Sequence, residues 1–189
     1  MDLPHGPFSL ILSDPPWRFA VRSSKGEKKS PQSHYQCMSL DDIKALPVAS
    51  VAAPDCLLFM WATAPMLPQA LEVMAAWGFT FKTMGAWAKR SSTGAKWAFG
   101  TGYILRSASE PFLIGTRGRP KVHTKSERNL IVAPVREHSR KPDDARRMLE
   151  AMVPHGDRLE MFAREAADGW TAWGNETNKF QRAAELEAA

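Results

Sequence analysis

The tetrapeptide Asp14-Pro15-Pro16-Trp17, which follows the apolar segment 8–13, combines groups that can act on an amine. Asp14 offers a carboxylate oxygen, and Pro15 offers a carbonyl in a stiff segment without a competing backbone N–H. When two acceptors each accept a hydrogen bond from one N–H of an aromatic amine, the lone pair of the amine turns towards an electrophilic methyl group. Trp17 offers a face on which an extruded base can stack. The pattern predicts methylation of a base amine; the alternative is a strand-closing turn with Trp17 packed in the core.

The elements that must position this tetrapeptide alternate between apolar strands and amphipathic helices. Strands are predicted at 8–14, 56–63, 79–89, 109–118, 129–134, 158–165 and 169–176, and helices at 39–52, 66–78 and 142–153. Ser39 is the predicted N-cap of the first helix, and Gly78 closes the second. Strand–helix alternation predicts one α/β domain with a mainly parallel sheet. Ligands of such sheets bind beyond the carboxyl ends of the strands, which is where Asp14 falls.

Positive charge is concentrated in two stretches of this chain, whose formal net charge is +5. Residues 18–29 and 116–128 each carry five basic side chains against one acid. The segments 18–34, 90–106 and 116–128 are predicted to be surface loops that grip phosphates. Solvated loops that only aid solubility are the alternative. The predicted nucleic-acid contacts are Arg18, Arg22, Lys25, Lys28, Lys29, Arg117, Arg119, Lys121 and Lys125.

Composition argues against several other classes of protein. Two cysteines, Cys37 and Cys56, are too few for a disulfide framework, and the five histidines show no metal-ligand spacing. No apolar run approaches the roughly 20 residues of a membrane span. The first residues lack the basic-then-apolar plan of a secretory signal. We therefore expect a single domain over residues 1–189, with a short tail from 177, in a cytoplasmic setting without a metal or membrane contact.

The tetrapeptide belongs to an ordered series of motifs that resembles the DPPW-type (MT-A, or METTL-type) N6-adenine methyltransferases, and a compact bacterial or phage member in particular. The series extends over nearly the whole chain, from Phe8 to Glu176. In order it contains DPPW at 14–17, HYQCMSLDDI at 34–43, LLFMWAT at 57–63, WAK at 87–89, SEPFLIGTRG at 109–118, NLIVAPVREHSRKPDD at 129–144, LEMFARE at 159–165 and GWTAWGNE at 169–176. DPPW alone is moderately specific, whereas the ordered set is highly specific.

The resemblance implies a Rossmann-like class I methyltransferase sandwich, with helices on both faces of the sheet and the catalytic strand before the cofactor strand. It implies S-adenosylmethionine as methyl donor, S-adenosylhomocysteine as product and no metal. The tetrapeptide becomes the catalytic loop, and a cation beside the cofactor carboxylate suits Lys141. The implied base pocket comprises Tyr35, Trp87 and Lys89, and the implied cofactor residues are Asp14, Lys141, Arg164, Asn175 and Glu176.

Two departures from the family pattern affect the cofactor end of the site. Glu176 stands where the family often has Gln, so the side chain keeps acceptors for ribose hydroxyls but loses the amide donor. The glycine-rich turn of many cofactor-binding α/β folds is absent, and residues 162–165 (Phe-Ala-Arg-Glu) stand in its place. The assignment of the cofactor therefore depends on the family resemblance.

The resemblance leaves several functions open. DNA is favoured over RNA because compact members in bacteria and phages are often DNA adenine methyltransferases. Cytosine-N4 methylation is a further alternative, but those enzymes usually carry Ser or Asn where this chain has Asp14. A silent nucleic-acid-binding partner would typically have lost the catalytic or cofactor residues, which this chain keeps. A homodimer or a paired subunit stays open.

Overall fold

The computed structural model describes residues 2–18, 37–102, 104–137 and 139–180. The predicted contacts Arg22, Lys25, Lys28 and Lys29, and the predicted pocket residue Tyr35, lie outside the described residues. In the part that is described, no helix is long and apolar enough to cross a membrane.

Every predicted strand and helix is present, with changes at the ends. The strands are β1 (Phe8–Ser13), β2 (Ala52–Trp61), β3 (Thr80–Arg90), β4 (Ser109–Arg117), β5 (Leu130–Pro134), β6 (Arg158–Met161) and β7 (Thr171–Trp173). The helices are α1 (Leu40–Ala45), α2 (Val48–Val51), α3 (Leu67–Ala76) and α4 (Asp144–Met152), and a short 3₁₀ turn (Ala64–Met66) precedes α3. The single helix predicted over 39–52 is divided at Pro47, which precedes α2.

The helix ends follow local rules. The Ser39 hydroxyl accepts a hydrogen bond from the Asp42 backbone N–H and caps α1 as predicted. Gly78 has φ +82°, a left-handed conformation that favours glycine where the chain leaves α3. Phe162 ends β6 earlier than predicted because its φ of +60° turns the chain out of the extended conformation.

The sheet has seven strands in the order β5-β3-β4-β2-β1-β6-β7. β4 is antiparallel to both of its neighbours, β2 and β3, and the other pairings are parallel. The sheet is thus mainly parallel, as predicted. The amino end of β4 lies with the carboxyl ends of the other strands, because β4 runs in the opposite direction. One edge of the sheet therefore collects the end of β1, the end of β3 and the start of β4.

Alternate residues of the central strands pack into two separate cores, one on each face of the sheet. On β2, Leu58 and Met60 face the core that α1 and α3 cover, with Ile43, Val73 and Trp77. The opposite face packs against α4, and its core contains Leu57, Phe59, Trp61, Ala145 and Leu149. Helices therefore cover both faces, which confirms the predicted α/β sandwich. Fixed between β2 and β6 and buried from Leu10 to Ser13, β1 gives Asp14 a rigid base.

Candidate active site

Asp14 lies at the carboxyl end of β1, at one end of a chain of alternating charges. The Lys141 ammonium donates to Asp14 Oδ2 at 2.7 Å and lies 3.1 Å from Glu110 Oε1. Glu110 Oε2 in turn accepts from Lys89 Nζ at 2.6 Å. Four elements or connections supply these groups, namely β1, β3, β4 and the segment before α4. The structure therefore brings together three predicted site residues, Asp14, Lys89 and Lys141, with one residue that the sequence did not single out, Glu110.

The neighbouring charged groups in this row of side chains keep one another ionised. Burial opposes the charge on Lys141, but Asp14 and Glu110 outweigh it and hold the pKa of Lys141 above its ordinary value. Burial likewise opposes the charge on Glu110, but Lys141 and Lys89 hold the pKa of that carboxyl below its ordinary value of 4.5. Both groups are consequently charged at neutral pH. An ammonium group has three N–H donors, and these two contacts use two of those on Lys141.

The loop that follows Asp14 is held by backbone hydrogen bonds. The Pro15 carbonyl accepts from the Trp17 N–H at 2.8 Å, and the Pro16 carbonyl accepts from the Met38 N–H at 3.3 Å. A carbonyl oxygen has two lone pairs, so the Pro15 carbonyl can still accept a second hydrogen bond. Asp14 and Pro15, which carry the two acceptors predicted from the sequence, follow β1 directly.

Trp17 is placed differently from the stacking role considered for it. The side chain is 3% exposed, packs in the α1/α3 core and donates its ring N–H to the Trp61 carbonyl at 3.1 Å. In this position it offers no free face to a base. Its position matches the alternative of a core tryptophan, because the apolar ring gains more from burial and a satisfied N–H than from exposure.

Trp61 and Trp87, the second of which belongs to the base pocket that the resemblance implies, are both buried in the core. Trp61 is 1% exposed, and its ring lies 5.7 Å from Lys141 Nζ, so it also forms a wall of the cleft. Trp87 is 3% exposed and donates its ring N–H to the Ala133 carbonyl at 2.9 Å. Lys89 Nζ lies 4.7 Å from the Trp87 ring centroid. Trp87 therefore acts on the predicted pocket through Lys89, which it helps to orient.

The cleft extends from Asp14 towards the turn after β6, which contains Arg164, and the other two predicted cofactor residues follow β7. Arg164 lines the cleft, and its Nε is 3.8 Å from Glu176 Oε2. Glu176 also pairs with Lys179 at 2.8 Å, and the neighbouring Asn175 is exposed. The structure thus places Asp14, Lys141 and Arg164 along the cleft, with Glu176 near Arg164, whereas Asn175 and Glu176 are not among the residues that line it.

A network of ion pairs that sequence reasoning missed forms the floor of this cleft. Arg146 on α4 donates to both carboxylate oxygens of Glu160 on β6, at 2.7 and 3.1 Å, and to Glu165 at 3.1 Å. Glu165 also accepts from Arg140 at 2.8 Å. Burial raises the pKa of Glu160 despite the opposing effect of Arg146. The sequence did contain a signal for this network, because Glu160 is an acid between the apolar residues Leu159 and Met161 of a short strand.

The second basic stretch is not at this site. Arg117 ends β4 and pairs with Cys56, whereas Phe112 pairs with Trp61 near the cleft. The His123 N–H donates to the carbonyl of Met152, the last residue of α4, which begins beside Lys141. Because β4 is antiparallel to its neighbours, it ends at the edge of the sheet opposite the cleft. Of the predicted contacts, Arg117 at the end of β4 and Arg119, Lys121 and Lys125 in the loop after it therefore lie at the far edge. Arg18 follows the tetrapeptide directly and is exposed.

Metal chemistry was not expected from the sequence. Across the residues that the structure describes, no group of three or more His, Cys, Asp or Glu side chains is arranged to hold a metal ion.

A mainly parallel sheet between helices, with a cleft at the carboxyl end of β1, defines a Rossmann-like methyltransferase fold. The family model described as MT-A70 matches residues 8–176. The chain therefore belongs to the MT-A70 family.

Individual relatives agree with this membership. The chain is 33% identical over 92% of its length to the N(6)-adenosine-methyltransferase MT-A70-like protein of Arabidopsis thaliana, and covers 24% of that protein. It is 31% identical to human N(6)-adenine-specific methyltransferase METTL4 over 92% of its length, and covers 38% of that relative. It is 29% identical to the type II methyltransferase M.MunI of Mycoplasma sp. over 92% of its length, and covers 79% of M.MunI. The chain thus spans about a quarter of the plant relative and most of M.MunI.

Proposed function

We propose that this protein transfers a methyl group from S-adenosylmethionine to the N6 amine of adenine in a nucleic acid, with DNA favoured over RNA. The observation that carries the proposal is the position of Asp14, which stands at the carboxyl end of the central strand β1 beside the Pro15 carbonyl. Membership of the MT-A70 family supports the same reaction.

The two acceptors suit the chemistry of a poor nucleophile. The N6 lone pair of adenine is delocalised into the ring, so the amine attacks only when the nitrogen becomes more tetrahedral. Asp14 and the Pro15 carbonyl each accept one N–H of the amine, which turns the lone pair away from both acceptors. The Asp14 carboxylate stabilises the positive charge that develops on nitrogen. As the N–C bond forms, the bond between the methyl carbon and the sulfonium sulfur would break, with its electron pair left on sulfur. The nitrogen would then release a proton, which the adjacent Asp14 carboxylate can accept.

The cofactor supplies an electrophilic methyl group on a sulfonium, and the donor set of the cleft fits its polar groups. Lys141 has a third N–H for the methionine carboxylate. Arg140 Nε is buried in the cleft and has no hydrogen-bond partner among the described residues, so an acceptor of a ligand would satisfy it. Arg164, Asn175 and Glu176 are assigned to the ribose and adenine end.

The substrate base must reach a mostly buried carboxylate, since the Asp14 side chain is 24% exposed. A base inside a stack cannot do so, and the target adenine must therefore leave its neighbours, at a cost of a few kcal/mol in a duplex. Lys89 and the unassigned Tyr35 are the proposed pocket residues. We propose that Trp17 fixes the catalytic loop through its hydrogen bond to Trp61 instead of stacking on the base.

The test is transfer of a labelled methyl group from S-adenosylmethionine to matched DNA and RNA oligonucleotides, with nucleoside analysis of the product. The parent is expected to form N6-methyladenine, and Asp14→Asn is expected to lose at least about a hundredfold in rate because the carboxylate charge is gone. Asp55→Asn is the matched control. Asp55 lies near the far edge, where its carboxylate accepts from the Arg119 N–H, and an amide oxygen keeps that bond.

The possible results of this assay distinguish between the alternative functions. Label in RNA alone would replace DNA by RNA as the substrate. Binding of the cofactor without transfer to either polymer would indicate a catalytically silent partner. A lack of cofactor binding would refute the enzyme assignment.

A further inference from the structure

The segment between β3 and β4, residues 91–108, begins and ends beside the candidate active site. It leaves the sheet after Lys89 and Arg90 and returns at Ser109 and Glu110. The Lys89 N–H donates to the Ala108 carbonyl at 2.8 Å, and the Lys89 and Glu110 side chains form an ion pair at 2.6 Å. Both ends of the segment are therefore fixed beside the charges that lead to Asp14. We call this segment, apart from residue 103, the basic-aromatic loop.

Backbone hydrogen bonds give the basic-aromatic loop a defined shape. Arg90 and Trp97 form an antiparallel bridge, and the Ala98 N–H donates to the Lys89 carbonyl at 2.8 Å. Further along, the Gly100 N–H donates to the Ser107 carbonyl at 2.8 Å. The loop consequently forms two successive turns that are closed by their own backbone and hold their side chains in place.

These two turns expose an unusual amount of apolar surface. Trp97 is 58% exposed, Phe99 80%, Ile104 86% and Leu105 81%. Exposed apolar side chains that are grouped together mark an interaction surface more often than scattered ones do. The position of the group at the edge that carries the cleft suggests that its partner is also the partner of the site.

Trp97 and Phe99 each lie against an arginine. The Arg90 Cζ lies 4.4 Å from the Trp97 ring centroid, and the Arg106 Cζ lies 5.3 Å from the Phe99 centroid. Arg90 is held in addition by hydrogen bonds to the Gly94 and Ala95 carbonyls. A guanidinium within this distance of a ring is attracted to its π-electrons. The arginines thus order the rings and place positive charge beside them.

The charge around the rings identifies the class of partner. The chain from Arg90 to Ala108 contains Lys96 and Arg106 and has no acidic residue. The centre of a protein–protein interface is normally depleted in lysine, whereas a surface for single-stranded nucleic acid combines positive charge with stacking aromatic rings. Planar rings with adjacent cations match a base and its phosphate.

We propose that Trp97 and Phe99 stack on unpaired bases next to the target adenine, so that the enzyme prefers a single-stranded or locally opened substrate. This inference rests on the proposed function for the identity of the target base. A paired base is stacked on both of its faces already, and only an unpaired base has a face to offer without further cost.

The experiment measures equilibrium binding by fluorescence anisotropy, with a short labelled oligonucleotide as a single strand and as a duplex. Trp97→Ala and Phe99→Ala are each expected to weaken single-strand binding about tenfold and duplex binding much less. Trp97→Phe keeps a ring and is expected to stay close to the parent. Leu71→Ala is the matched control, because Leu71 is also an exposed apolar residue, at 38%, but lies on α3 outside the loop.

The outcomes separate this inference from the proposed function. Unchanged single-strand affinity in both alanine variants would overturn it, as would equal losses for single strand and duplex. A parent that sediments as a dimer and a Trp97→Ala/Phe99→Ala variant that sediments as a monomer, with unchanged affinity, would assign the surface to a second copy of the chain. A parent that binds single strands through these rings but transfers no methyl group would refute the proposed reaction alone.

Discussion

Lys141 links the two carboxylates of the cleft, and its removal would leave Asp14 without this ammonium, whereas Glu110 would keep its ion pair with Lys89. In a mostly buried site the charged carboxylates need the ammonium, because each has exchanged its hydration for contact with that cation. The same cation is the residue proposed to hold the cofactor carboxylate. One side chain therefore connects the position of the catalytic acid with the position of the methyl donor.

Glu110 gives this set a measurable pH dependence. Its pKa is below the ordinary value of 4.5 in the folded protein, so it contributes stability above pH 4.5 that is lost as the pH falls through the folded-state pKa. Glu110→Gln is expected to flatten the acid side of a plot of unfolding free energy against pH. Urea unfolding from neutral pH to below 4.5 measures the effect.

Two other glutamates matter for the interpretation of this pH experiment, one as a control and one as an opposing contribution. Glu72 forms an exposed ion pair with Lys44, so Glu72→Gln is expected to leave the slope unchanged. Glu160 acts in the opposite sense, because burial raises its pKa and ionising it costs stability as the pH rises past 4.5. Comparison of Glu110→Gln with the parent removes this common contribution. An acid slope identical to that of the parent would show that Glu110 is not held ionised by the lysines.

At the scale of elements, the turn between β6 and β7 replaces the glycine-rich turn that the sequence lacks. Phe162 adopts the left-handed φ of +60°, and the Ala163 N–H donates to the Trp173 carbonyl at 2.9 Å. The segment contains its own glycine with a positive φ, Gly169 at +75°, and a second glycine, Gly174 after β7, packs against it. A Cβ on Gly174 would lie 2.8 Å from the Ala163 oxygen and 2.9 Å from its nitrogen.

Gly174→Ala is therefore expected to destabilise the protein by about 2 kcal/mol, because the clash is with backbone atoms that cannot turn away. Chemical denaturation gives the change in unfolding free energy. Gly94→Ala is the control: Gly94 also has a positive φ, of +74°, but a Cβ there meets nothing within 4 Å, so only backbone strain of about 1 kcal/mol is expected. Equal losses in the two variants would contradict the steric explanation.

The sequence predicted the elements better than it predicted their directions. Every strand and helix was located because apolar periodicity is a local property. The reversed direction of β4 was overlooked, although the chain between Arg90 and Ser109 has no helical pattern. A parallel neighbour needs a crossover, usually a helix, and its absence indicates an antiparallel pair. With that step, Glu110 would have been placed at the active edge and Arg117 at the opposite one.

The site shows the same division between local and non-local information. Asp14 and Lys141 were found because motifs named them, whereas their ion pair joins residues far apart in the chain. The burial of Trp17 could not be read from the sequence. A tryptophan after a strand can face solvent or the core, and the Trp61 carbonyl that receives its N–H comes from another strand.

At the scale of the whole molecule, positive charge lies at two opposite edges of the sheet, and only one of them carries the cleft. From Glu110 to Arg117 the extended chain of β4 covers roughly 23 Å, which is more than twice the Debye length at physiological ionic strength. A cation near Arg117 therefore contributes little to the field at Asp14. The two edges are expected to differ in their effect on nucleic-acid binding although both are basic.

A matched pair of charge reversals tests this difference. Lys96 is exposed on the basic-aromatic loop, and Lys121 is exposed on the far-edge loop, two residues before His123. Lys96→Glu is expected to weaken binding of a short oligonucleotide and to reduce the slope of log affinity against log salt by about one, because one phosphate contact is lost. Lys121→Glu, which changes the net charge equally, is expected to leave the slope unchanged. Equal effects of the two substitutions would mean that net charge alone drives binding. A larger effect at Lys121 would place the nucleic acid across the far edge, and would return the loop at 116–128 to the interface that the sequence first suggested.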